Sequence, residues 1–424
     1  MTKRASRYIR KVMPLPKIYL IVGGGVAGTT AAETIRKIDP DGRIIIVSDE
    51  PHRFYSRIML SKPNFFLGKL PFDQIWLKTE AWYAENNIDL ITGRKAVRLD
   101  PREKIVELDD GTQLRYGKLL LAIGGSARAW NVSGTNKRGV FYLRTLDDAK
   151  AIMEAVRTAT HGVAIGGGFI SFEMCEMLRL AGIDVTLLLR EPYYWSPLLD
   201  EPSGRMLEEV LERGGVKILR NTEATEVNGA KSAEAVVLKS GERIPCNMVI
   251  VGIGIVYLLE WIKNAGVAVE RGVVVNEYLE TNISDVYAAG DMAEYNDLIL
   301  EEHVQLGNWV NAQMQGKVAG LNMAGQHEAF RLVSFYTTQG FGITIAFVGD
   351  VRPLPDREVV SRGSPAGGSY ARILIKNEEV VGATLINRTQ DLGAFAKLIE
   401  RNVKVAAHKA VLRDPSTNLQ SLLV

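Results

Sequence analysis

The sequence predicts an α/β protein in which a nucleotide-binding β-α-β unit occurs twice and a separate α+β domain closes the chain. Three observations carry this. Glycine-rich loops at residues 23–28 and 166–171 each follow a short apolar run and open a helix-like one. Beyond Ser334 the pattern changes to alternating strands and then one helix. Apolar residues at 46% and charged residues at 24% are ordinary for a globular chain, so 424 residues leave room for two or three domains.

In the first unit, Ile18-Tyr19-Leu20-Ile21-Val22 reads as a buried strand. Gly23-Gly24-Gly25-Val26-Ala27-Gly28 is the loop, and residues 31–38 are helix-like. In such a Rossmann-like unit one glycine allows a tight turn, one lets the backbone approach a pyrophosphate, and one lets helix and strand pack closely. The phosphates then meet the positive end of the helix. The next strand, Ile44-Ile45-Ile46-Val47, ends at Ser48-Asp49-Glu50. An acid about 20 residues past the loop is placed to meet ribose hydroxyls; Asp49 and Glu50 both qualify. Residues 94–116 alternate and turn at Asp109-Asp110-Gly111, which predicts a hairpin. Leu119-Leu120-Leu121-Ala122-Ile123 is a fully apolar strand ending in Gly124-Gly125-Ser126.

The second unit repeats the design. Gly162-Val163-Ala164-Ile165 leads into Gly166-Gly167-Gly168-Phe169-Ile170-Ser171 and a helix-like run over 172–180. Ser171 replaces the third glycine and should loosen the helix–strand contact slightly. The following strand ends in Arg190, with Glu191 next. An arginine here suits the 2′-phosphate of NADP, an acid the free hydroxyl of NAD. Residues 249–254 make another buried strand, and 281–291 run from strand into turn. Strands are then expected at 342–348, 371–375 and 380–386, with a helix over 392–401. Two such loops in one chain predict two dinucleotides and electron transfer between them.

A net charge of +2 gives no bulk attraction to nucleic acid or membrane. No apolar stretch approaches the roughly 20 residues of a membrane helix. Residues 1–17 carry Lys3, Arg4, Arg7, Arg10, Lys11 and Lys17 without an acid, and lack the apolar region of a secretion signal; a basic tail, disordered or loosely docked, is expected, with a partner-binding arm the alternative. The two cysteines, Cys175 and Cys246, form no Cys-x-x-Cys, and the five histidines show no ligand spacing, so neither a redox dithiol nor a metal site is expected. Cys175, on an apolar helix, reads as a buried, inert thiol. So few cysteines fit a reducing, cytoplasmic location.

Together these segments resemble the FAD-dependent pyridine nucleotide–disulfide reductase superfamily, in its branch of ferredoxin, rubredoxin and putidaredoxin reductases. Five motifs carry the resemblance, in order. The loop with Gly23, Gly25, Val26, Ala27 and Gly28 matches the one that holds the FAD pyrophosphate. Phe54-Tyr55-Ser56-Arg57-Ile58-Met59-Leu60-Ser61-Lys62 is similar to the family's Pro-Tyr-x-Arg-x-x-Leu-Ser-Lys, with Phe54 for the proline. It implies Arg57 along the FAD and Lys62 near flavin N5. The loop with Gly166, Gly168, Phe169 and Ile170 matches the nicotinamide loop, and Glu173 matches the glutamate that pairs with that lysine. Residues 281–291 match the second FAD motif, with Gly290 and Asp291 at the ribityl chain. Trp309-Val310-Asn311-Ala312 with Gln315-Gly316 matches the helix beside the flavin, where Trp309 shields one flavin face. Arg128, in Gly125-Ser126-Ala127-Arg128, matches Gly-Ser-x-Pro-Arg with alanine for proline. Ala122, Gly124 and Gly254 complete the implied cofactor contacts.

The physical chemistry agrees with the implied pair of Lys62 and Glu173. It would place a positive charge where the reduced flavin gains electron density, and a buried charge needs a partner. Phe347-Val348-Gly349-Asp350, Val381-Gly382-Ala383 and Leu412-Arg413-Asp414-Pro415 resemble that branch's interface domain. The resemblance implies Rossmann-like domains of the glutathione reductase type: an FAD domain over 18–127 and 256–331, an NAD(P) domain over 128–255, and a C-terminal α+β interface domain over 332–424. It implies a reductase that passes electrons from NADPH or NADH through FAD to a small ferredoxin- or rubredoxin-type protein, as a homodimer. An oxidase that reduces oxygen, or a flavoprotein subunit of a larger electron-transfer complex, is the alternative.

The chain also departs from the family. It has no cysteine near Ile58 and Met59, which sets aside disulfide reduction and sulfenate peroxidase chemistry. In the helix of the fifth motif, Gln305 and Gly307 stand where the family often has arginine and glutamate. Val256-Tyr257-Leu258 replaces an Arg-Pro-Asn, and Asn247 replaces an aspartate. These changes lie around the entrance to nicotinamide and flavin.

Overall fold

The computed structural model describes residues 17–423; apart from Lys17, the basic tail expected over 1–17 lies outside them. Near-continuous apolar strands suit a parallel sheet covered on both faces. The chain builds two such sheets. The first has the order Ile88–Ile91, Arg43–Val47, Ile18–Val22, Lys118–Leu121 and Val286–Ala288, all parallel. The second has the order Val216–Leu219, Asp184–Leu188, His161–Ile165, Met248–Val251 and Val140–Phe141, also parallel. The loop-bearing strand is central in each. Its neighbours lead off in opposite directions along the chain, so a crevice opens at the carboxyl ends of the strands.

The helices after the two loops span Val26–Ile38 and Phe169–Leu180. They begin at residues 26 and 169 rather than 31 and 172, because the last loop residues already form the first helical turn. The strand expected to end in Arg190 ends at Leu188, leaving Arg190 beyond the sheet.

Residues 94–116 form more than one hairpin: Ala96–Asp100, Ile105–Leu108 and Gln113–Arg115 make a three-stranded antiparallel meander. Its first turn has no glycine. It is shaped by Asp100, whose carboxylate accepts from the Arg102 and Glu103 amides, and by left-handed Lys104. A second meander, Ala224–Asn228, Ala235–Leu238 and Arg243–Pro245, occupies the corresponding place in the second unit.

The C-terminal sheet is antiparallel, in the order Phe335–Gly340, Ile343–Gly349, Glu379–Ile386, Ser369–Lys376 and Glu358–Ser364. Leu392–Glu400 packs on it through Phe395 and Leu398, beside Ile373 and Leu385. The outer strands, Phe335–Gly340 and Glu358–Ser364, are absent from the expected set. They are half-exposed edges rich in polar residues, which dilutes the apolar pattern.

Two close approaches position the site. The helix Trp309–Met323 lies against Val26–Ile38 because Gly316 has no side chain: a Cβ there would sit 2.2 Å from the Ala27 carbonyl oxygen. The edge strand Phe335–Gly340 lies against Phe169–Leu180 because a Cβ on Gly340 would meet Phe172 Cε1 at 2.7 Å. The same docking is held by the Phe341 amide, which donates to Glu176 at 2.5 Å.

Candidate active site

The two glycine loops are built alike. Gly23 and Gly166 have φ of +126° and +99°, and each runs too close to the neighbouring strand end for a side chain. A Cβ would lie 2.1 Å from the Ala122 carbonyl oxygen in the first and 2.6 Å from that of Gly252 in the second. Gly28 is equally constrained, with a Cβ position 1.9 Å from the Gly23 carbonyl oxygen. Ser171, in the third-glycine position of the second loop, is fully buried and donates to the Ile165 carbonyl at 3.2 Å. It fits because Gly252 faces it without a side chain. The expected loosening is therefore not present.

Gly25 and Gly168 precede the two helices and face open space. Neither helix start has a side-chain cap or an acid in its first turn. The helices Leu146–Val156, Glu201–Arg213 and Trp309–Met323, by contrast, are capped by Thr145, Asp200 and Asn308. The free first-turn amides and the helix dipole leave both loop helices able to take a phosphate, so the residues fit a dinucleotide at each loop.

A cleft of about 1180 Å³ joins most of the predicted residues. Gly23, Gly25, Val26, Ala27, Asp49, Glu50, Arg57, Lys62, Ala122, Gly124, Phe169, Ile170, Glu173, Gly290, Asp291 and Trp309 all line it. Gly28, Gly166, Gly168 and Gly254 lie outside its lining, as do two arginines. Arg128 is exposed and donates to the Ile255 carbonyl at 3.2 Å, bracing the ribbon of Ser126–Ala127 and Ile255–Val256. Arg190 is exposed beyond its strand and meets Glu191 at 3.0 Å.

At the heart of the cleft stands Glu173, with 6% of its surface exposed. Its carboxylate accepts from Lys62 Nζ, from the Ser61 hydroxyl, and from the Thr338 hydroxyl at 2.6 Å. The expected pair of Lys62 and Glu173 is thus formed. Ser61 lay within a legible motif; Thr338, 165 residues away in sequence, gave no signal.

The acids that qualified for a ribose separate clearly. Glu50 accepts from the Tyr55 hydroxyl at 2.6 Å and from Arg57 at 2.5 Å, whereas Asp49 is exposed at the strand end. Burial, with Glu50 adding to it, pushes the Tyr55 hydroxyl up and keeps it a donor. Burial opposes the Arg57 cation, but Tyr55 and Glu50 more than offset this.

Arg144, between a short strand and the cap Thr145, also lines the cleft and was not foreseen. Burial and the neighbouring Arg57 lower its pKa, and Asp291 approaches it only to 3.8 Å. Tyr257, in the replaced Arg-Pro-Asn segment, fills the cleft nearby; burial and Asp291 push its hydroxyl up to about 12.

Trp309 stacks on Phe54, the residue that replaces the family's proline, with centroids 5.8 Å apart and planes 14° apart. Gln305 and Gly307 are not in a helix but precede it, since Asn308 is its cap. Gln315 accepts from the Gly290 amide at 2.7 Å, which ties that helix to the turn before Asp291. Cys175 and Cys246 are free and buried, away from the cleft lining. Among the described residues, no group of three or more His, Cys, Asp or Glu is arranged to hold a metal.

Residues 17–316 match the family described as pyridine nucleotide-disulphide oxidoreductase, and residues 335–423 match the reductase C-terminal family. The chain is 32% identical over 404 residues to the ferredoxin–NAD(+) reductase component of the biphenyl dioxygenase system of Paraburkholderia xenovorans (strain LB400), covering 95% of this chain and 97% of that protein. It is 30% identical to rhodocoxin reductase of Rhodococcus erythropolis, covering 93% and 92%. Among solved structures, putidaredoxin reductase in its covalent complex with putidaredoxin superposes with a TM-score of 0.90 at 26% identity, covering 96% of this chain and 98% of that one.

Proposed function

We propose that this chain, which belongs to the pyridine nucleotide-disulphide oxidoreductase family and is a flavoprotein oxidoreductase using FAD and NAD(P)H, passes electrons to a small ferredoxin- or rubredoxin-type protein. One observation carries the reading. Val26 and Ala27 from the first loop's helix and Phe169, Ile170 and Glu173 from the second's line the same cleft, where Lys62 pairs with Glu173, so one cleft can serve both dinucleotides.

When bound, FAD supplies hydride acceptance from the nicotinamide and onward delivery of electrons. The chain's residues bind and orient. The helix starts at Val26 and Phe169 take the two pyrophosphates. Asp49 would meet the FAD ribose, while Arg57, Ala122, Gly124, Arg144, Gly290 and Asp291, which line the cleft, would hold FAD along it. Phe169 and Ile170 line the nicotinamide side, and Arg190 favours NADPH. Lys62, fixed by Glu173, offers a positive charge to the flavin ring. Trp309, braced by Phe54, would cover one face of the flavin. The chemistry these groups would supply needs placement by the protein rather than a proton relay, so no acid–base residue is required of the chain.

Anaerobic titration with NADPH and then NADH, followed by flavin absorbance, tests this. Fast bleaching by either donor is expected. Flavin that neither donor bleaches would mean that the second loop is not a working nicotinamide site. Rapid oxidation under air without an acceptor protein would favour the oxidase reading instead.

Homodimer assembly through the C-terminal domain belongs to the same proposal. The outer strand Glu358–Ser364, with Val359 46% exposed, supports it, and light scattering tests it. A cytoplasmic location is also proposed. Among the described residues no helix is long and apolar enough to cross a membrane, and the two thiols are free.

A further inference from the structure

We propose that Thr338, from the edge strand of the C-terminal sheet, is a positioning residue that sets the pair of Lys62 and Glu173 and so makes the C-terminal domain part of the redox site. The inference rests on the reading that this pair faces the flavin.

Glu173 is nearly buried, and an ionised carboxylate has about four lone-pair positions to satisfy. Each of its three donors comes from a different part of the chain than Glu173 itself. Ser61 and Lys62 belong to the segment after the first unit's second strand, and Thr338 to the C-terminal edge strand. Lys62 and Thr338 share Oε1, while Ser61 holds Oε2. This division fixes the rotation of the carboxylate. With Ser61 alone, the plane could swing and carry Oε1 away from the ammonium; the Thr338 hydroxyl at 2.6 Å blocks that motion. Charge-assisted bonds of this kind are short and strong.

Thr338 is itself 3% exposed, so water does not substitute readily for its hydroxyl. Its strand does not depend on that bond for docking. Gly340 packs on Phe172, and the Phe341 amide donates to Glu176 one helical turn beyond Glu173. The ring of Phe341 adds an edge contact to Phe172 at 5.7 Å. Loss of the hydroxyl therefore acts on the carboxylate rather than on the domain interface.

The test compares Thr338→Val, which keeps shape without the hydroxyl, with Thr338→Ser, which keeps the hydroxyl, and with Glu173→Gln. All three are purified with FAD, and two quantities are read: the flavin midpoint potential, and the anaerobic rate of flavin reduction with its dependence on nicotinamide concentration. Thr338→Val is expected to move the potential to a more negative value, because the lysine charge is less well held. It should also slow the limiting rate about tenfold, the scale of a small misplacement, with the apparent nicotinamide affinity unchanged. Thr338→Ser should restore both. If Glu173→Gln shifts potential and rate while Thr338→Val leaves both at wild-type values, Thr338 is a packing residue and the proposal is wrong. If Glu173→Gln also leaves both unchanged, the pair does not face the flavin, and the underlying reading falls with the proposal. If Thr338→Ser fails to restore what Thr338→Val loses, shape rather than the hydroxyl is responsible, which overturns the proposal too.

Discussion

Arg190 occupies in the second nucleotide-binding unit the station that Asp49 occupies in the first. The Gly23 amide donates to the Val47 carbonyl at 2.7 Å, and the Gly166 amide donates to the Leu188 carbonyl at 3.0 Å. Val47 and Leu188 are also the register partners of Val22 and Ile165, the residues before each loop. Two positions further on come Asp49 and Arg190, each exposed and each followed by Glu-Pro. One chain thus presents an acid beyond the second strand of one nucleotide-binding unit and a guanidinium beyond that of the other. An acid accepts from free ribose hydroxyls, whereas the guanidinium fork matches a phosphate.

Changing Arg190 to Glu should therefore reverse the donor preference. Hydrogen bonds to charged groups contribute about 1.5–3 kcal/mol, so the ratio of kcat/KM for NADPH over NADH should fall at least tenfold. Steady-state kinetics with both donors checks this. A ratio that stays put would reduce Arg190 to a solvated strand end held by Glu191.

Gly316 makes a different kind of prediction. A methyl there would overlap the Ala27 carbonyl, and both residues are on helices that cannot move without shifting the first loop. Overpacking of this kind costs about 1–3 kcal/mol. Gly316→Ala should lower the temperature of flavin release, read by fluorescence, and weaken FAD retention. The overlap falls on Ala27, in the helix that follows the first loop, so binding of a nicotinamide analogue to whatever folded protein remains should change far less.

The features legible in the sequence are those fixed by local chain geometry. The two loops, the strands before them and the motif ending in Lys62 depend on residues within a few positions of one another. Glu173 was reachable through resemblance. Arg144 and Thr338 were not, because each reaches the cleft only through tertiary packing, from a short two-residue strand's end and from a polar sheet edge. The same reasoning explains the missed turn at 101–104. It uses an aspartate side chain and left-handed Lys104 where an Asp-Gly pair would have announced it. Gly252 was also invisible as the partner of Ser171, since the two meet only when the sheet forms.

The thiols should be silent. Cys175 is fully buried and Cys246 nearly so, and burial pushes their pKa values up to about 12 and about 11. At pH 7 even Cys246 would be thiolate in only about one molecule in ten thousand, and the thiolate is the reactive form. A disulfide-exchange reagent should titrate no thiol in the native protein and both in denaturant. Cys175→Ala with Cys246→Ala should leave flavin reduction by the nicotinamide intact. Loss of that step with normal flavin content would reopen a role for cysteine.

Asp350 should govern part of the acid sensitivity. It is completely buried and accepts from Arg352 at 2.8 Å through each oxygen and from Arg357 at 3.2 Å. Arg357 in turn reaches Glu302, and Lys376 joins Glu302, so the cluster ties the C-terminal sheet to the strand Glu302–Val304. Burial works against ionisation of Asp350, but Arg352 and then Arg357 outweigh it and hold the carboxyl below its ordinary range. The folded pKa is thus depressed. The stability it contributes is complete above the unfolded value of about 3.9 and is lost as pH falls through the folded one. Asp297 nearby has the opposite sign: burial foremost, with Asp350 adding to it, raises its pKa, so its ionisation disfavours the fold as pH rises. Asp350→Asn isolates the first effect. It leaves the buried Arg357 short of one anion, and breaking a buried pair costs about 3–5 kcal/mol. The variant should therefore unfold at a clearly lower temperature than wild type at pH 7, and the gap should narrow as pH falls below 4. A gap that stays constant from pH 7 to pH 3 would place the cost in packing rather than in the charge of Asp350.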